Sequence, residues 1–383
     1  MNQWYCTWAY KSLDMGAFPL YMKDQTQVFR CISTLNGDSM RIRFSNCYSE
    51  YPLKIESISL QIAGGQIHPI TLGGNNKITL QPLSCLESDE LPVSVSSGDE
   101  ICITAVFGDC LTDTACTFLQ NPFCSVTHFD ASGKPKLPIS AFFDRNPLHH
   151  CVVGFDRIRV NSKQRVKTIA AFGDSITHMS RWTAPLVMRL LKEYSGQFSF
   201  ANFGICGNRI LHDGNRLSGH GHWFGTAGID RFSSDLFLED IHADVVLLLE
   251  GVNDLLHPQI GAAPSGEYVS PNEIVQGLKE MAAIAHQHGA KVWIGTLLPF
   301  NGCKQHWTPE REVERLLINQ YIRNSNDFDF LLDWDMCTRW TEDSTRLDPS
   351  GGSEDNLHPG VAGGIAMANI VNLAELIDSS AAV

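Results

Sequence analysis

Short apolar segments alternate with amphipathic segments after residue 162, and this alternation constrains the fold more than any other feature. Strand-length apolar runs occur at 168–172, 198–203, 244–249, 292–297 and 328–332. Between and after them, apolar residues recur at helical spacing at 183–194, 271–288, 309–324 and 361–377. Strands that alternate with helices form a mostly parallel sheet with helices on both faces. The pattern predicts a three-layer α/β/α domain.

One helix start has a specific signature. In Ser270-Pro271-Asn272-Glu273, the serine can cap the helix, the proline suits its first turn and the glutamate completes a capping box. Gly289 is the residue type that commonly ends a helix.

The part of the chain before residue 162 has a different pattern of polar and apolar residues. Between residues 26 and 107, alternating runs such as Met40-Arg41-Ile42-Arg43-Phe44 are separated by Gly, Pro, Asn and Asp. Many short strands with frequent turns are typical of a β-sandwich. Asn36-Gly37-Asp38, between the runs 26–34 and 39–46, predicts a hairpin because Asn-Gly accepts positive φ. Residues 91–95 and 152–160 are also predicted strands, whereas 108–150 show little periodicity and receive no assignment.

The change in residue pattern predicts two domains, a β-sandwich accessory domain at 1–162 and an α/β domain at 163–383.

The chain is acidic, with 29 basic and 42 acidic residues and a net charge of −13. This charge disfavours nucleic acid and anionic lipid as partners. The apolar runs are too short for a membrane span, and the N-terminus lacks a basic and apolar leader, so we expect a cytoplasmic protein. A trimmed secreted chain has the same features.

Metal and disulfide signals are weak. The 12 cysteines contain no C-x-x-C pair and match no zinc pattern, so we expect free thiols. His212, His220 and His222 share a Gly-rich loop at 212–228, but their spacing fits no helical ligand pair. The prediction is a substrate-facing loop, with no metal and no cofactor.

Four segments carry the groups for nucleophilic catalysis, and three of them directly follow predicted strands. They are Phe172-Gly173-Asp174-Ser175-Ile176-Thr177, Asn202-Phe203-Gly204-Ile205-Cys206-Gly207-Asn208-Arg209, Glu250-Gly251-Val252-Asn253-Asp254 and Asp355-Asn356-Leu357-His358-Pro359. Together they offer a serine, glycine N–H groups, an amide donor and a histidine that an aspartate three residues earlier can hold. Each segment alone has a structural explanation, such as helix capping by Asp174.

In this order the segments resemble the SGNH (GDSL) hydrolase family, over about residues 166–378. The resemblance implies that Ser175 is the nucleophile, His358 the general base and Asp355 the residue that orients it. It also implies an oxyanion hole formed by the N–H groups of Ser175 and Gly207 and the side chain of Asn253. A nucleophile with a base, and fixed donors for the developing negative charge, are what ester hydrolysis requires.

The amino-acid sequence resembles the xylan-esterase-like branch of this family in four segments, which are 171–177, 202–211, 231–235 and 249–254. A jelly-roll domain before an SGNH domain also resembles carbohydrate esterase family 2. Arg209, Trp223 and Arg231 are candidate substrate-binding residues. For the two arginines, an ion pair under the site explains the residue at least as well as substrate binding does. For the tryptophan, packing is the favoured explanation.

The resemblance implies a serine-type carboxylic ester hydrolase, and the branch favours removal of acetyl groups from a carbohydrate. The expected partner is an acetylated carbohydrate or another small ester. A short-chain acyl or lipid esterase is the enzymatic alternative. A non-catalytic carbohydrate-binding or scaffold protein is the third. The oligomeric state is not predicted.

Overall fold

A computed structural model describes residues 3–136, 149–214, 221–238, 240–303 and 306–378. The chain divides into two compact units. The first contains residues 1–166 and 188–201, and the second contains residues 167–187 and 202–383.

The first unit is rich in antiparallel strands. The strands are β1 (Gln3–Ala9), β2 (Leu13–Asp14), β3 (Leu20–Tyr21), β4 (Thr26–Ile32), β5 (Met40–Asn46), β6 (Leu53–Ile62), β7 (Ile67–Pro69), β8 (Ile78–Leu80), β9 (Ser84–Glu87), β10 (Glu100–Phe107), β11 (Leu111–Thr112), β12 (Thr114–Leu119), β13 (Cys124–Phe129), β14 (His149–Val152) and β15 (Gly154–Ser162). One sheet has the order β1-β15-β5-β9. A six-stranded sheet has the order β13-β4-β10-β6-β7, with β8 also paired to β6. The predicted β-rich character of this region is confirmed.

Aromatic rings join the inner faces of these two sheets. The ring of Trp8 in β1 lies 4.7 Å from that of Phe29 in β4 and 5.9 Å from that of Phe155 in β15. Phe29 and Phe155 are 5.5 Å apart. All three rings are buried, and such pairs stabilise a core beyond the area they bury.

The predicted hairpin at Asn36-Gly37-Asp38 is wrong, because β4 and β5 belong to different sheets. Gly37 exchanges both backbone hydrogen bonds with Val95, at 3.0 and 2.9 Å. A Cβ on Gly37 would lie 2.4 Å from the carbonyl oxygen of Asn161. The glycine therefore permits a close approach of two backbone segments rather than a turn with positive φ.

Two further predictions need correction. Residues 91–95 form isolated bridges, at Leu91 and Val95, instead of a strand. The unassigned segment 108–150 contains β11, β12, β13 and the start of β14, while 137–148 lie outside the described residues. The pattern of β12 is hidden because all six of its residues are buried, so it shows no polar alternation.

The second half of the chain forms a five-stranded sheet. Its strands are β16 (Lys167–Gly173), β17 (Phe198–Gly204), β18 (Val245–Leu249), β19 (Lys291–Gly295) and β20 (Phe330–Leu332). The order is β17-β16-β18-β19-β20, and the pairs β16–β18, β18–β19 and β19–β20 are parallel. The predicted α/β class is confirmed, and so is parallel pairing among β16, β18, β19 and β20.

Helices alternate with these strands. They lie at Ser175–His178, Thr183–Glu193, Gly228–Ser233, Val252–Leu256, Pro271–Gln287, Pro309–Asn324, Trp334–Thr338, Val361–Asn369 and Leu373–Asp378. The capping box of Ser270 and Glu273 is confirmed. The helix predicted at 361–377 is wrong in its continuity, since it breaks between Asn369 and Leu373. No helix in the described ranges is long and apolar enough to cross a membrane.

Candidate active site

Ser175 lies at the turn that follows β16. The side chain of Asp174 caps the short helix that begins there, since its Oδ1 accepts the N–H of Ile176 at 2.8 Å. A Cβ on Gly173 would lie 2.1 Å from the carbonyl oxygen of Leu249, so this strand end is compatible only with glycine. The capping interpretation of Asp174 is confirmed, and the turn holds Ser175 at the carboxyl edge of the sheet.

Ser175, His358 and Asp355 form a continuous chain of contacts. Ser175 Oγ lies 2.7 Å from His358 Nε2, and His358 Nδ1 lies 2.6 Å from Asp355 Oδ2. The other oxygen of Asp355 accepts the hydroxyl of Ser353 and the N–H groups of Leu357 and His358, at 2.6, 2.9 and 3.0 Å. These distances are those of a nucleophile, a base and a group that orients the base.

The contacts of Asp355 keep its carboxylate charged. Burial acts to raise its pKa, but the hydrogen bond and charge of His358, with the backbone N–H of His358 and the Ser353 hydroxyl, outweigh burial. The pKa of Asp355 therefore lies well below its usual range. A permanently ionised carboxylate can stabilise the imidazolium that forms during acyl transfer.

Two of the three groups expected to form the oxyanion hole, Gly207 and Asn253, lie in turns that contact each other. Gly207 has φ of +72°, and a Cβ there would lie 2.2 Å from the ring of Phe224. Asn253 is buried, and its Nδ2 donates to the carbonyl oxygen of Asn208 at 2.9 Å. A primary amide has two N–H groups, so Asn253 keeps one donor after this contact.

Strand register brings these turns to the same edge as the serine. Gly173 lies opposite Leu249 in the parallel pair β16–β18, so the turns that carry Ser175 and Asn253 leave neighbouring strand ends. The carbonyl oxygen of Gly173 also accepts the N–H of Ile205 at 2.9 Å. The turn after β17, which leads to Gly207, is thereby attached to the same strand end.

For Arg231, the structure favours the ion-pair alternative over a substrate contact. Its side chain is 4% exposed, and Nη1 donates to Asp235 Oδ2 at 2.9 Å. Nε and Nη2 donate to Asn208 Oδ1 at 3.0 and 2.8 Å, and Nη2 also lies 3.3 Å from the carbonyl oxygen of Gly173. Arg231 therefore connects the end of β16 to the turn after β17 through buried hydrogen bonds. Its pairing with Asp235 corresponds to the ion-pair alternative.

For Arg209 and Trp223, the structure likewise favours the alternatives of an ion pair and of packing. The Arg209 side chain is 2% exposed and pairs with Glu267 at 2.7 Å. Trp223 is 1% exposed, so its indole offers no face to a sugar ring. Both side chains are part of the packed interior beside the site.

Of the three loop histidines, His212 and His222 lie in the described part of the chain and His220 lies outside it. Among the described residues, no group of three or more His, Cys, Asp or Glu side chains is placed to hold a metal ion. All 12 cysteines are free thiols, as expected.

Buried carboxyl groups beneath the site were not predicted. Burial raises the pKa of Asp174 to about 7 and that of Asp254, which accepts the N–H of Ile210, to about 6. Glu250 is 1% exposed, and neither of its carboxyl oxygens has a hydrogen-bond partner within the described residues. Burial and the charge of Asp174 raise the pKa of Glu250 well above its usual range. The available signal was the position of Glu250 directly after the predicted strand 244–249.

The sequence profile of the GDSL-like lipase/acylhydrolase family matches residues 171–364. This chain belongs to that family. The region that matches the GDSL-like lipase/acylhydrolase family contains Ser175, Gly207, Asn253, Asp355 and His358, and it leaves the β-rich region outside.

Solved structures with distant likeness to this GDSL-like acylhydrolase include two hydrolases. Axe2, an acetylxylan esterase from Geobacillus stearothermophilus, is 18% identical, with 56% of this chain and 97% of Axe2 covered and a TM-score of 0.40. LAE5, an α/β hydrolase enzyme from the metagenome of Lake Arreo in Spain, is 19% identical, with 54% and 94% covered and a TM-score of 0.40. At these values neither likeness bears on function. No curated protein matches the chain.

Proposed function

We propose that this acylhydrolase is a serine-type carboxylic ester hydrolase that works through an acyl-enzyme on Ser175. The observation that carries the proposal is the 2.7 Å contact between Ser175 Oγ and His358 Nε2, with Asp355 2.6 Å from the other ring nitrogen. A serine hydroxyl is a weak nucleophile until a base takes its proton, and this contact supplies the base.

In the acylation step, Ser175 Oγ attacks the ester carbonyl while its proton moves to His358 Nε2. The ionised carboxylate of Asp355 stabilises the resulting imidazolium. The imidazolium then protonates the departing alcohol, and the acyl group remains on Ser175. Water, deprotonated by His358, releases the acyl group as a carboxylic acid and restores the serine.

The N–H groups of Ser175 and Gly207 and the amide of Asn253 donate to the oxyanion of the tetrahedral intermediate. The positive φ of Gly207 and the bond from Asn253 to Asn208 support this role, because they fix both donors before substrate arrives. Donors that need no reorganisation stabilise the transition state more than the ground state.

We propose an O-acetylated carbohydrate as the substrate. The support is the similarity of residues 171–177, 202–211, 231–235 and 249–254 to the xylan-esterase-like branch. The proposal includes a jelly-roll-like β-sandwich accessory domain at 1–162 and a three-layer α/β/α catalytic domain at 163–383.

A short-chain acyl esterase is the second candidate, and an apolar cluster favours it. Val252, which precedes Asn253, packs with Leu256, Phe300 and Cys303, and Leu357 packs against this cluster. The four cluster residues are buried, so Leu357, which is partly buried and precedes His358, is the side chain that can contact an acyl chain beside the catalytic groups.

The test is mass spectrometry of acetylated xylo-, manno- and pectic oligosaccharides after incubation with the enzyme, beside p-nitrophenyl esters of increasing chain length. We expect loss of acetyl groups from at least one oligosaccharide and a steep decline in rate beyond acetyl among the simple esters. Higher rates on butyryl or longer esters, with no deacetylation of sugars, would select the second candidate. Hydrolysis of none of these esters by folded protein would favour the non-catalytic alternative.

A further inference from the structure

Two thiols lie together at an edge of the first unit, far along the chain from the catalytic serine. Cys85 belongs to the edge strand β9 and lies opposite Ser45 of β5. Cys47 follows Ser45 by two residues, one position past the end of β5. Cys85 is thus the cross-strand neighbour of Ser45, and Cys47 lies in the turn directly after the strand that carries Ser45.

The hydroxyl of Ser45 contacts both sulfur atoms. Ser45 Oγ lies 3.5 Å from Cys47 Sγ and 3.8 Å from Cys85 Sγ. The sulfur atoms are therefore neighbours in the folded protein. Because Cys47 lies beyond the end of its strand, its backbone is not held by the β5–β9 ladder and can adjust to a new bond.

Accessibility separates this pair from most other cysteines. Nine of the 12 cysteines are buried, whereas Cys47, Cys85 and Cys337 are partly exposed. Buried thiols are chemically inert, and exposed ones react according to how easily they ionise. Cys47 and Cys85 are the two partly exposed cysteines that share a contact with one hydroxyl, that of Ser45.

The surroundings of Cys85 favour its thiolate. The hydrogen bond from Cys47, and after it the hydrogen bond and charge of Arg43, lower the pKa of Cys85 below its usual range, although burial and Asp156 oppose this. The same hydrogen bond, with burial, raises the pKa of Cys47. The pair thus consists of a nucleophilic sulfur and a protonated neighbour.

We propose that Cys47 and Cys85 are a redox modification site that closes to a reversible disulfide when the protein meets a peroxide. The Cys85 thiolate attacks one oxygen of hydrogen peroxide, the O–O bond breaks, and a proton from solvent completes the sulfenic acid and water. The sulfur of Cys47 then attacks Cys85 Sγ, the S–O bond breaks, and the thiol proton leaves with the hydroxyl as a second water. The two sulfurs are oxidised and the peroxide is reduced.

The disulfide would tie the edge strand β9 to the end of β5. Edge strands are held on one side only and open more easily than central strands. The cross-link would close the chain between residues 47 and 85 and would restrict opening of this edge.

The experiment treats the folded protein with hydrogen peroxide, alkylates the remaining thiols and maps the peptides by mass spectrometry. We expect a Cys47–Cys85 cross-linked peptide, loss of two hydrogen atoms from the intact mass, and full reversal by dithiothreitol. The cross-link should form at least about tenfold faster in the folded chain than in the same chain unfolded in urea, since folding holds the sulfurs together. In Cys47→Ser, sulfenic acid should accumulate on Cys85 and react with dimedone.

Cys337→Ser is the matched control, since it removes the other partly exposed thiol and should leave the cross-link unchanged. Recovery of Cys47 and Cys85 as alkylated thiols from folded wild-type protein, under conditions that oxidise Cys337, would overturn the proposal. Equal rates of cross-linking in the folded and the urea-unfolded chain would overturn it too.

Discussion

Asp355 acts on His358 through both of its oxygens. One oxygen lies 2.6 Å from His358 Nδ1, and the other accepts the backbone N–H of the same residue at 3.0 Å. The carboxylate therefore fixes the position of the imidazole and places a negative charge beside it. At the scale of single residues, the contribution of Asp355 to catalysis can therefore be measured separately from that of Ser175, by substituting Asp355 alone.

Asp355→Asn should lower kcat/KM by about 100-fold or more, because the amide removes the negative charge beside the imidazolium. In the wild type, the carboxylate of Asp355, whose pKa is depressed, should stay ionised throughout the pH range of the measurement. The measurement is kcat/KM against pH on one soluble acetyl ester. Asp348→Asn is the control, since Asp348 makes a similar turn with Ser350 in the same segment. Superimposable wild-type and Asp355→Asn profiles would leave a Ser175–His358 dyad as the better description.

Asn253→Ala should lower kcat by about 100- to 1000-fold with a much smaller change in KM, because the amide donates to charge that develops in the transition state. Steady-state kinetics on the same acetyl ester provide the measurement, and circular dichroism checks the fold. A change confined to KM would make Asn253 a substrate-binding or structural residue.

Asp174 connects the site to the stability of the fold. Its pKa is about 7 in the folded protein and about 4 in an unfolded chain. The folded state binds the proton of Asp174 more tightly than the unfolded chain does, and this tighter binding stabilises the fold. The stabilisation is complete below about pH 4 and is lost as pH rises through about 7. Asp174→Asn keeps an oxygen for the N–H of Ile176 but cannot ionise.

Between pH 5 and 8, the free energy of unfolding should therefore decline more steeply with pH in the wild type than in Asp174→Asn. Urea unfolding at several pH values measures both slopes. Equal slopes would show that Asp174 ionises in the folded protein as readily as in the unfolded chain.

At the scale of elements, the turns after the parallel strands carry the site, and glycines set their geometry. Gly207 and Gly289 have almost the same backbone angle, with φ of +72° and +75°. A Cβ on Gly207 would lie 2.2 Å from the ring of Phe224, whereas a Cβ on Gly289 would meet nothing within 4 Å. An alanine substitution at Gly289 therefore tests backbone strain alone, whereas the same substitution at Gly207 adds crowding against Phe224.

Gly207→Ala should lower kcat strongly, by about 100-fold, because the turn must move and carry its N–H away from the oxyanion. Gly289→Ala should cost about 1 kcal/mol of stability and leave kcat unchanged. Parallel kinetics and thermal unfolding of the two variants make the comparison. Unchanged kcat in a folded Gly207→Ala variant would remove Gly207 from the oxyanion hole.

Elements with a local signature were predictable, and those that depend on distant partners were not. The capping box at Ser270 contains its own hydrogen-bond partners within four residues, so the sequence specifies that helix start. The pattern at Asn36-Gly37 was ambiguous, because the segments that need a glycine there, at Val95 and Asn161, lie far along the chain. β1 and β15, which pair, are separated by most of the β-rich region.

The same distinction applies to the site. Asp355 and His358 could be paired from their spacing, and the family resemblance brought Ser175 to them from 183 residues away. The burial of Arg209, Trp223 and Arg231 could not be predicted, since the sequence does not show which side of a loop residue faces the interior. Their partners Glu267 and Asp235 became visible only in the folded chain.

At the scale of the whole molecule, a chain of 383 residues joins a β-rich region to a GDSL-like acylhydrolase domain. The β-rich region contributes none of the five residues proposed for catalysis, which all lie within 171–364. The central claim is therefore confined to one part of the molecule: covalent catalysis at Ser175.

Covalent labelling of the intact protein by a fluorophosphonate tests this claim most directly. We predict a single adduct, mapped by mass spectrometry to Ser175, formed in parallel with loss of esterase activity. The variant Ser175→Ala should take no label and hydrolyse no ester, whereas Ser234→Ala, which removes a hydroxyl bonded to the carbonyl oxygen of Arg231, should behave as wild type. An adduct on another residue, or full activity in a folded Ser175→Ala variant, would contradict the account.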